Sequence, residues 1–455
     1  MAKINFYLVL FILISGLSAK AQTIHLEFPY FKGQTYEFKI FQGDKQITLK
    51  ADTIPKGGLV ALRIPKEYEG YQGMAQWYLT NSKTGGGLDL IINNENFSVS
   101  CLDSVPSSES IIYNGTKESV FDKANYVKQQ KLFEKHDAML ASLRAYPKED
   151  VLYPIFDKEY NKIKADYANY IINLEAAPFY AAKFRQIVNL TMGIGTIIST
   201  DEKEKATNIN DFIVNKLDFA ALYTSNHWGG IINNWVQMHL MVIKNNALLI
   251  QDCKTLLHRM PNNKIYTDFV VSLTKDLTKV GKDNIIAELT PDIKKSNRLM
   301  NYDGVLTIYQ QDLSGKAPDL NITTHIGNKE DHNHSTTVIK TAELNSKYTL
   351  LVFYKSGCGP CEETMQGLTG NYKDLVAKGI RIISLAADTD EQVFSNTSFS
   401  LPWVDKYCDL EGMNGINFKN YAIIGTPTMY ILDHKGYILS KMATIADLLI
   451  WSKTN

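Results

Sequence analysis

The chain has 455 residues, 48 basic against 48 acidic side chains, and is 45% hydrophobic. That balance excludes a mainly disordered polymer, because apolar content is ordinary and no net charge drives self-repulsion. The lack of a long Lys/Arg block disfavours nucleic acid as a partner, and five cysteines are too few for a disulfide-built scaffold.

Residues 1–21 read as a cleavable export leader. Lys3 supplies the positive start, residues 6–17 a short apolar stretch, and Ala19-Lys20-Ala21 a small-x-small cut after Ala21. The uncharged run over 4–18 is shorter than the roughly 20 residues that cross a bilayer as a helix. An exported protein without a stable membrane anchor is expected.

From 22 to 112 the dominant period is two. Strand-like runs fall at 24–28, 36–41, 46–49, 59–64, 76–79, 88–92 and 97–101. Turn signals such as Gly43-Asp44, Pro55-Lys56-Gly57-Gly58 and Gly85-Gly86-Gly87 separate them. Seven short strands predict a β-sandwich without a catalytic cluster.

From 113 to 300 the period becomes 3.6. Phe156, Tyr160, Ile163, Tyr167, Ile171 and Leu174 mark one helical face, read as core rather than a ligand ladder. Ser199-Thr200-Asp201-Glu202 resembles a capping box, and further helices are predicted over 231–244 and 266–280. His227 and His239 lack companions at metal spacing and are read as satisfied structural histidines.

From 301 to 455 strands and helices alternate, predicting an α/β layer fold. Buried strands are expected at 349–354 and 380–386, a helix over 361–378, a hairpin from 428–432 to 437–440, and a closing helix over 445–451. His325, His332 and His334, with Glu330 and Asp331, are read as a solvated hairpin tip rather than a metal loop. Cys408, near Asp405 and Asp409, is read as a buried, inert thiol rather than a third redox thiol, and Cys101 and Cys253 are left open as a cross-domain pair.

The chemistry centres on Cys358-Gly359-Pro360-Cys361, directly after a buried strand and opening a helix. Unpaired N–H groups at a helix start favour a thiolate at Cys358, and one turn brings Cys361 within reach of its sulfur. Cys358 can then attack a disulfide and Cys361 resolve the mixed product. Gly359 permits the close approach, and Pro360 is tolerated because its missing N–H has no partner there. A zinc site needs a second cysteine pair, but Cys101, Cys253 and Cys408 stand alone; haem attachment needs a histidine where Glu362 stands. No metal and no cofactor is implied. Gly425-Thr426-Pro427-Thr428 supports the same reading, since proline suits the first residue of a strand.

With Leu351-Val352-Phe353-Tyr354 leading into the cysteine pair, Gly425-Thr426-Pro427-Thr428, and the opening Gly315-Lys316-Ala317-Pro318-Asp319-Leu320, the last third of the chain resembles the thioredoxin superfamily, in particular exported TlpA/ResA-like thiol-disulfide oxidoreductases. The resemblance implies a thioredoxin-like fold, a cis bond at Thr426-Pro427 facing the cysteines and presenting backbone to substrate, Cys358 as nucleophile and Cys361 as resolving thiol. It also implies a periplasmic location, disulfide-containing exported proteins as substrates, and a membrane thiol carrier as electron donor. The pattern departs from the family at Gly357, where Trp is usual, at Val352, where cytosolic thioredoxins carry a buried acid, and at Thr364, where ResA-like proteins place Glu. A buried acid–base helper is therefore unassigned, and slow or selective turnover is expected. Two other functions compete: a peroxiredoxin-like peroxidase, which lacks its Pro-x-x-x-Thr/Ser-x-x-Cys arrangement here, and a binding or scaffold protein that uses the first two-thirds.

Overall fold

The computed structural model describes residues 22–82, 86–107, 109–310, 315–325 and 334–454. The leader expected at 1–21 and the loop carrying His332 lie outside the described residues. The chain groups into two compact units, residues 1–188 with 221–226, and residues 189–220 with 227–455. The division falls inside the helical region rather than at its ends.

In the first unit eight strands build two sheets: β1 (Thr23–Glu27), β2 (Thr35–Gln42), β3 (Lys45–Thr53), β4 (Leu59–Arg63), β5 (Gln72–Leu79), β6 (Gly87–Asn93), β7 (Phe97–Cys101) and β8 (Ile111–Asn114). One sheet runs β4-β1-β7-β8 and the other β3-β2-β5-β6. Alternation sends Ile24, Leu26, Val99, Phe38 and Trp77 from both sheets into one core. The eighth strand, beyond the seven expected, pairs antiparallel with β7; its four residues are too few for a visible alternating pattern.

The long helices α1 (Lys117–Ala145) and α2 (Tyr153–Ala176) follow, and Ile163, Tyr167, Ile171 and Leu174 are buried as the 3.6 period predicts. Helix α3 (Tyr180–Thr191) starts on a buried acceptor: the Glu118 carboxylate accepts hydrogen bonds from Tyr180 N and Ala181 N at 3.2 and 2.8 Å.

The second unit holds α4 (Glu202–Asn215), α6 (Trp228–Met238), α7 (Asn246–Arg259), α8 (Asn263–Lys279), α9 (Asp283–Ser296) and α10 (Thr307–Gln310), with the short α5 (Phe219–Tyr223) at the division. The α4 cap is Asp201, whose side chain accepts from Glu204 N at 2.7 Å. His239 is only half satisfied: Nε2 lies 2.8 Å from Asn210 Oδ1, while the buried Nδ1 has no partner among the described residues. Burial lowers its pKa to about 4, so the ring is neutral.

In the same unit β9 (Leu320–His325) and β10 (His334–Ile339) form a hairpin, beside a five-stranded sheet of β11 (Tyr348–Tyr354), β12 (Ile380–Ala386), β13 (Asp405–Cys408), β14 (Thr428–Asp433) and β15 (Ile438–Met442). The sheet order is β13-β12-β11-β14-β15; β11, β12 and β13 run parallel, β14 runs antiparallel to β11, and β15 antiparallel to β14. Central β11 is buried on both faces, Leu350, Val352 and Tyr354 toward one core and Leu351 and Phe353 toward the other. The helix expected over 361–378 is two: α11 (Gly359–Gly370) and α12 (Tyr372–Ala377). Gly370 is a poor helix former, and Asn371 turns its side chain back to the Gly367 carbonyl at 2.8 Å, ending the first segment. The remaining helices are α13 (Glu391–Phe399), α14 (Ile416–Asn420) and α15 (Ile445–Thr454). Helix α11 lies close on α15: a Cβ added to Gly367 would stand 2.7 Å from Ile445 Cγ1.

Candidate active site

The loop leaving β11 turns at Gly357, whose φ of 71° suits glycine, and delivers Cys358 as the N-cap of α11. Gly359 and Pro360 open the helix, and Glu362 N donates to Cys358 O at 2.9 Å, the first turn's bond. Both cysteines are free thiols, with sulfurs 2.7 Å apart. Their surroundings differ. Cys358 is half-buried at the rim, whereas Cys361 is 1% exposed. Burial pushes the Cys361 thiol up to about 11, with the Cys358 sulfur adding to the shift and Thr426 opposing it.

Thr426 and Pro427 are joined by a cis bond immediately before β14, and the Thr426 carbonyl faces Cys358 Sγ at 3.8 Å. Antiparallel pairing of Phe353 with Thr428 holds that loop beside the cysteine turn. The structure thus brings together Cys358, Gly359, Pro360, Cys361, Thr426 and Pro427.

Two neighbours were not anticipated. Asp388, just past the end of β12 and 3% exposed, accepts from Ser356 N at 2.9 Å and from Ser356 Oγ at 2.6 Å, clamping the loop two residues before Cys358. Its signal was weak: an acid just beyond the carboxyl end of a central parallel strand, where α/β sheets place their sites. The second is Tyr354. Its buried hydroxyl has no hydrogen-bond partner among the described residues, and burial raises its pKa. Tyr354, Cys361, Met365 and Leu401 line a cavity of about 480 Å³ behind the resolving thiol.

Val352 and Thr364 are buried, so neither departure from the family is offset by an acid at its own position. Glu362 and Glu363 are exposed. Cys408 donates to Asp388 O at 3.4 Å, and burial raises its pKa. Cys101 and Cys253 are free and fully buried.

A family model described as the AhpC/TSA family matches residues 313–441. The thiol-disulfide oxidoreductase ResA of Bacillus cereus is 30% identical over 148 residues, which cover 31% of this chain and 76% of that protein. ResA of Bacillus thuringiensis is 27% identical over 142 residues, again 31% of this chain and 76% of that protein. Among solved structures, a thiol-disulfide oxidoreductase from Bacteroides fragilis aligns at 23% identity and a TM-score of 0.26, covering 30% of this chain and 98% of its own.

Proposed function

From the premise that this chain belongs, through its C-terminal third, to the ResA family of thiol-disulfide oxidoreductases, we propose that it reduces disulfides of exported proteins through Cys358 and Cys361. The observation that carries the reading is the asymmetry of the pair: one sulfur reachable at a helix start, its mate buried 2.7 Å away.

The Cys358 thiolate attacks one sulfur of a substrate cystine. A Cys358–substrate disulfide forms, the substrate S–S bond breaks, and its electron pair leaves with the second substrate sulfur. That departing thiolate takes the Cys361 proton, which matters because burial holds the proton on Cys361 until a base arrives. Cys361 then attacks the Cys358 sulfur and closes the enzyme disulfide. The first substrate sulfur is released as a thiolate and takes a proton from water. Two electrons have passed from enzyme to substrate. Gly359 and Pro360 shape the turn, while Thr426 and Pro427 line the approach and offer backbone groups to the incoming chain.

Regeneration requires a dithiol donor, which in an exported setting is a membrane thiol carrier. The export reading rests on the composition of residues 1–21; among the described residues no helix is long and apolar enough to cross a membrane. Nucleic acid has no part in this reading.

The test is trapping. Reduced Cys361→Ser, mixed with oxidised insulin, forms a covalent adduct that dithiothreitol releases, and Cys358→Ser forms none. An adduct that forms equally in Cys358→Ser, or no adduct in Cys361→Ser, overturns the assignment. Peroxide consumption persisting in Cys361→Ser would favour the peroxidase alternative.

A further inference from the structure

The groove on the cis-proline side of the dithiol is not built by the C-terminal domain alone. A cavity of about 590 Å³, within the usual range for ligand sites of about 300–1,000 Å³, is lined by Pro360, Thr426 and Pro427 on one side and by Lys275, Thr278 and Lys279 of α8 on the other. Both walls lie in the same compact unit. The approach is close: a Cβ at Gly425 would lie 3.7 Å from Thr278 Cγ2, and one at Gly281, just past α8, 3.7 Å from Ala443 Cβ.

The charge of this wall is one-sided. Lys275 and Lys279 stand one turn apart on α8, both are exposed, and neither pairs with a carboxylate among the described residues. No Asp or Glu lines the cavity among the described residues. Asp276, beside Lys275 in the chain, accepts from Asn233 Nδ2 at 3.1 Å, and Asp447 accepts from the hydroxyl of the lining residue Thr444 at 2.7 Å. A lysine in the last turn offsets the negative end of a helix, which accounts for Lys279. Lys275 lies a turn earlier, so helix capping does not explain why both line the groove.

We propose that α8 is the second wall of the substrate groove, and that Lys275 and Lys279 select protein disulfides flanked by acidic residues. The inference rests on the dithiol reading above and names the substrate class of that site. The segment on one side of the substrate cysteine lies between the cis-proline loop and α8, where its carboxylates meet the two ammonium groups while its sulfur reaches Cys358.

The experiment uses the full chain, pre-reduced and freed of excess thiol, with two cystine peptides of equal length, one with Asp/Glu flanking the cysteines and one with Lys. Each single-turnover rate is divided by that of the same peptide with dithiothreitol, which removes intrinsic differences in disulfide reactivity. The acidic peptide is expected to be favoured by about three- to tenfold, the scale of two partly exposed ion pairs. The preference shrinks in high salt, and Lys275→Glu combined with Lys279→Glu reverses it. Equal normalised rates for the two peptides, or a preference unchanged in the double variant, overturn the proposal. Hydroxyethyl disulfide, neutral and too small to span the groove, reports on the wild-type dithiol alone. If it is not reduced, the reading of Cys358 and Cys361 fails; if it is reduced while the peptides are treated alike, only the role of α8 fails.

Discussion

Asp388→Ala is the sharpest probe of how the cysteine turn is held. The carboxylate accepts two hydrogen bonds from Ser356, the amide at 2.9 Å and the hydroxyl at 2.6 Å. Hydrogen bonds to a charged group contribute about 1.5–3 kcal/mol each, so full loss of both would cost roughly 3–6 kcal/mol. Two effects reduce this. Ser356 is only half-buried, so water can replace part of what is lost, and removing the carboxylate relieves its own desolvation. A net loss of about 2 kcal/mol is expected, lowering the melting midpoint by roughly 5 °C in a domain of this size. Thermal and urea unfolding of the reduced protein measure it. The decisive readout is a double-mutant cycle with Ser356→Ala: the two substitutions should couple by about 1 kcal/mol, because the hydroxyl bond is lost in either one. Coupling below about 0.3 kcal/mol, the scale of independent sites, would refute the clamp.

Three further outcomes follow from the same geometry. Tyr354→Phe removes a buried hydroxyl without a partner and should stabilise the protein by about 1 kcal/mol in urea unfolding; a loss of stability would reveal a partner for the hydroxyl. Gly367→Ala gains helix propensity of about 1 kcal/mol but drives its Cβ to 2.7 Å from Ile445 Cγ1, an overpacking cost of about 1–3 kcal/mol, so a net loss near 1 kcal/mol is expected. That loss should vanish when Ile445→Ala is added, and its persistence would mean the clash lies elsewhere. For pH, the Cys361 thiol ordinarily ionises near 9.0, and burial raises it to about 11 in the folded state. Between those values the native state holds a proton the unfolded chain has lost, so this contribution is intact below pH 9 and lost as pH rises toward 11. The urea midpoint of the reduced protein should therefore fall between pH 8.5 and 11, and fall less in Cys361→Ser; parallel declines would remove Cys361 from the account.

The legible parts of this site were those whose partners lie close in the chain. Cys358 and Cys361 are three residues apart, and helix geometry alone fixes what that spacing does. Residues 380–386 and 349–354 were readable as central strands because an apolar run bounded by turns has few other uses. Strand β13 was not, since Asp405–Cys408 is an edge strand of four half-buried residues with no apolar run to mark it. The break between α11 and α12 was overlooked because a helical period persists across Gly370 and Asn371, and only the Asn371 side chain reveals that the chain has turned. Asp388 went unseen for a different reason. Its partner Ser356 is 32 positions earlier, and that bond exists only once β11 and β12 are paired.

The same distinction bears on where selectivity lies. A nucleophile and its resolving thiol can be specified by four consecutive residues, so the reaction is written locally. Recognition cannot be, because a groove needs a second wall, and here that wall comes from α8, some 80 residues before the cysteines. The missing Trp before Cys358 fits this division. With Gly357 there instead, that position adds no aromatic ring beside the nucleophile, which leaves more of the discrimination among disulfides to contacts on the cis-proline side. Grafting Trp at position 357 would not restore an aromatic rim, since the backbone there holds φ at 71°, a conformation bulky side chains rarely adopt. Selectivity should therefore follow substitutions in α8 more closely than substitutions at the turn, even though the turn performs the exchange.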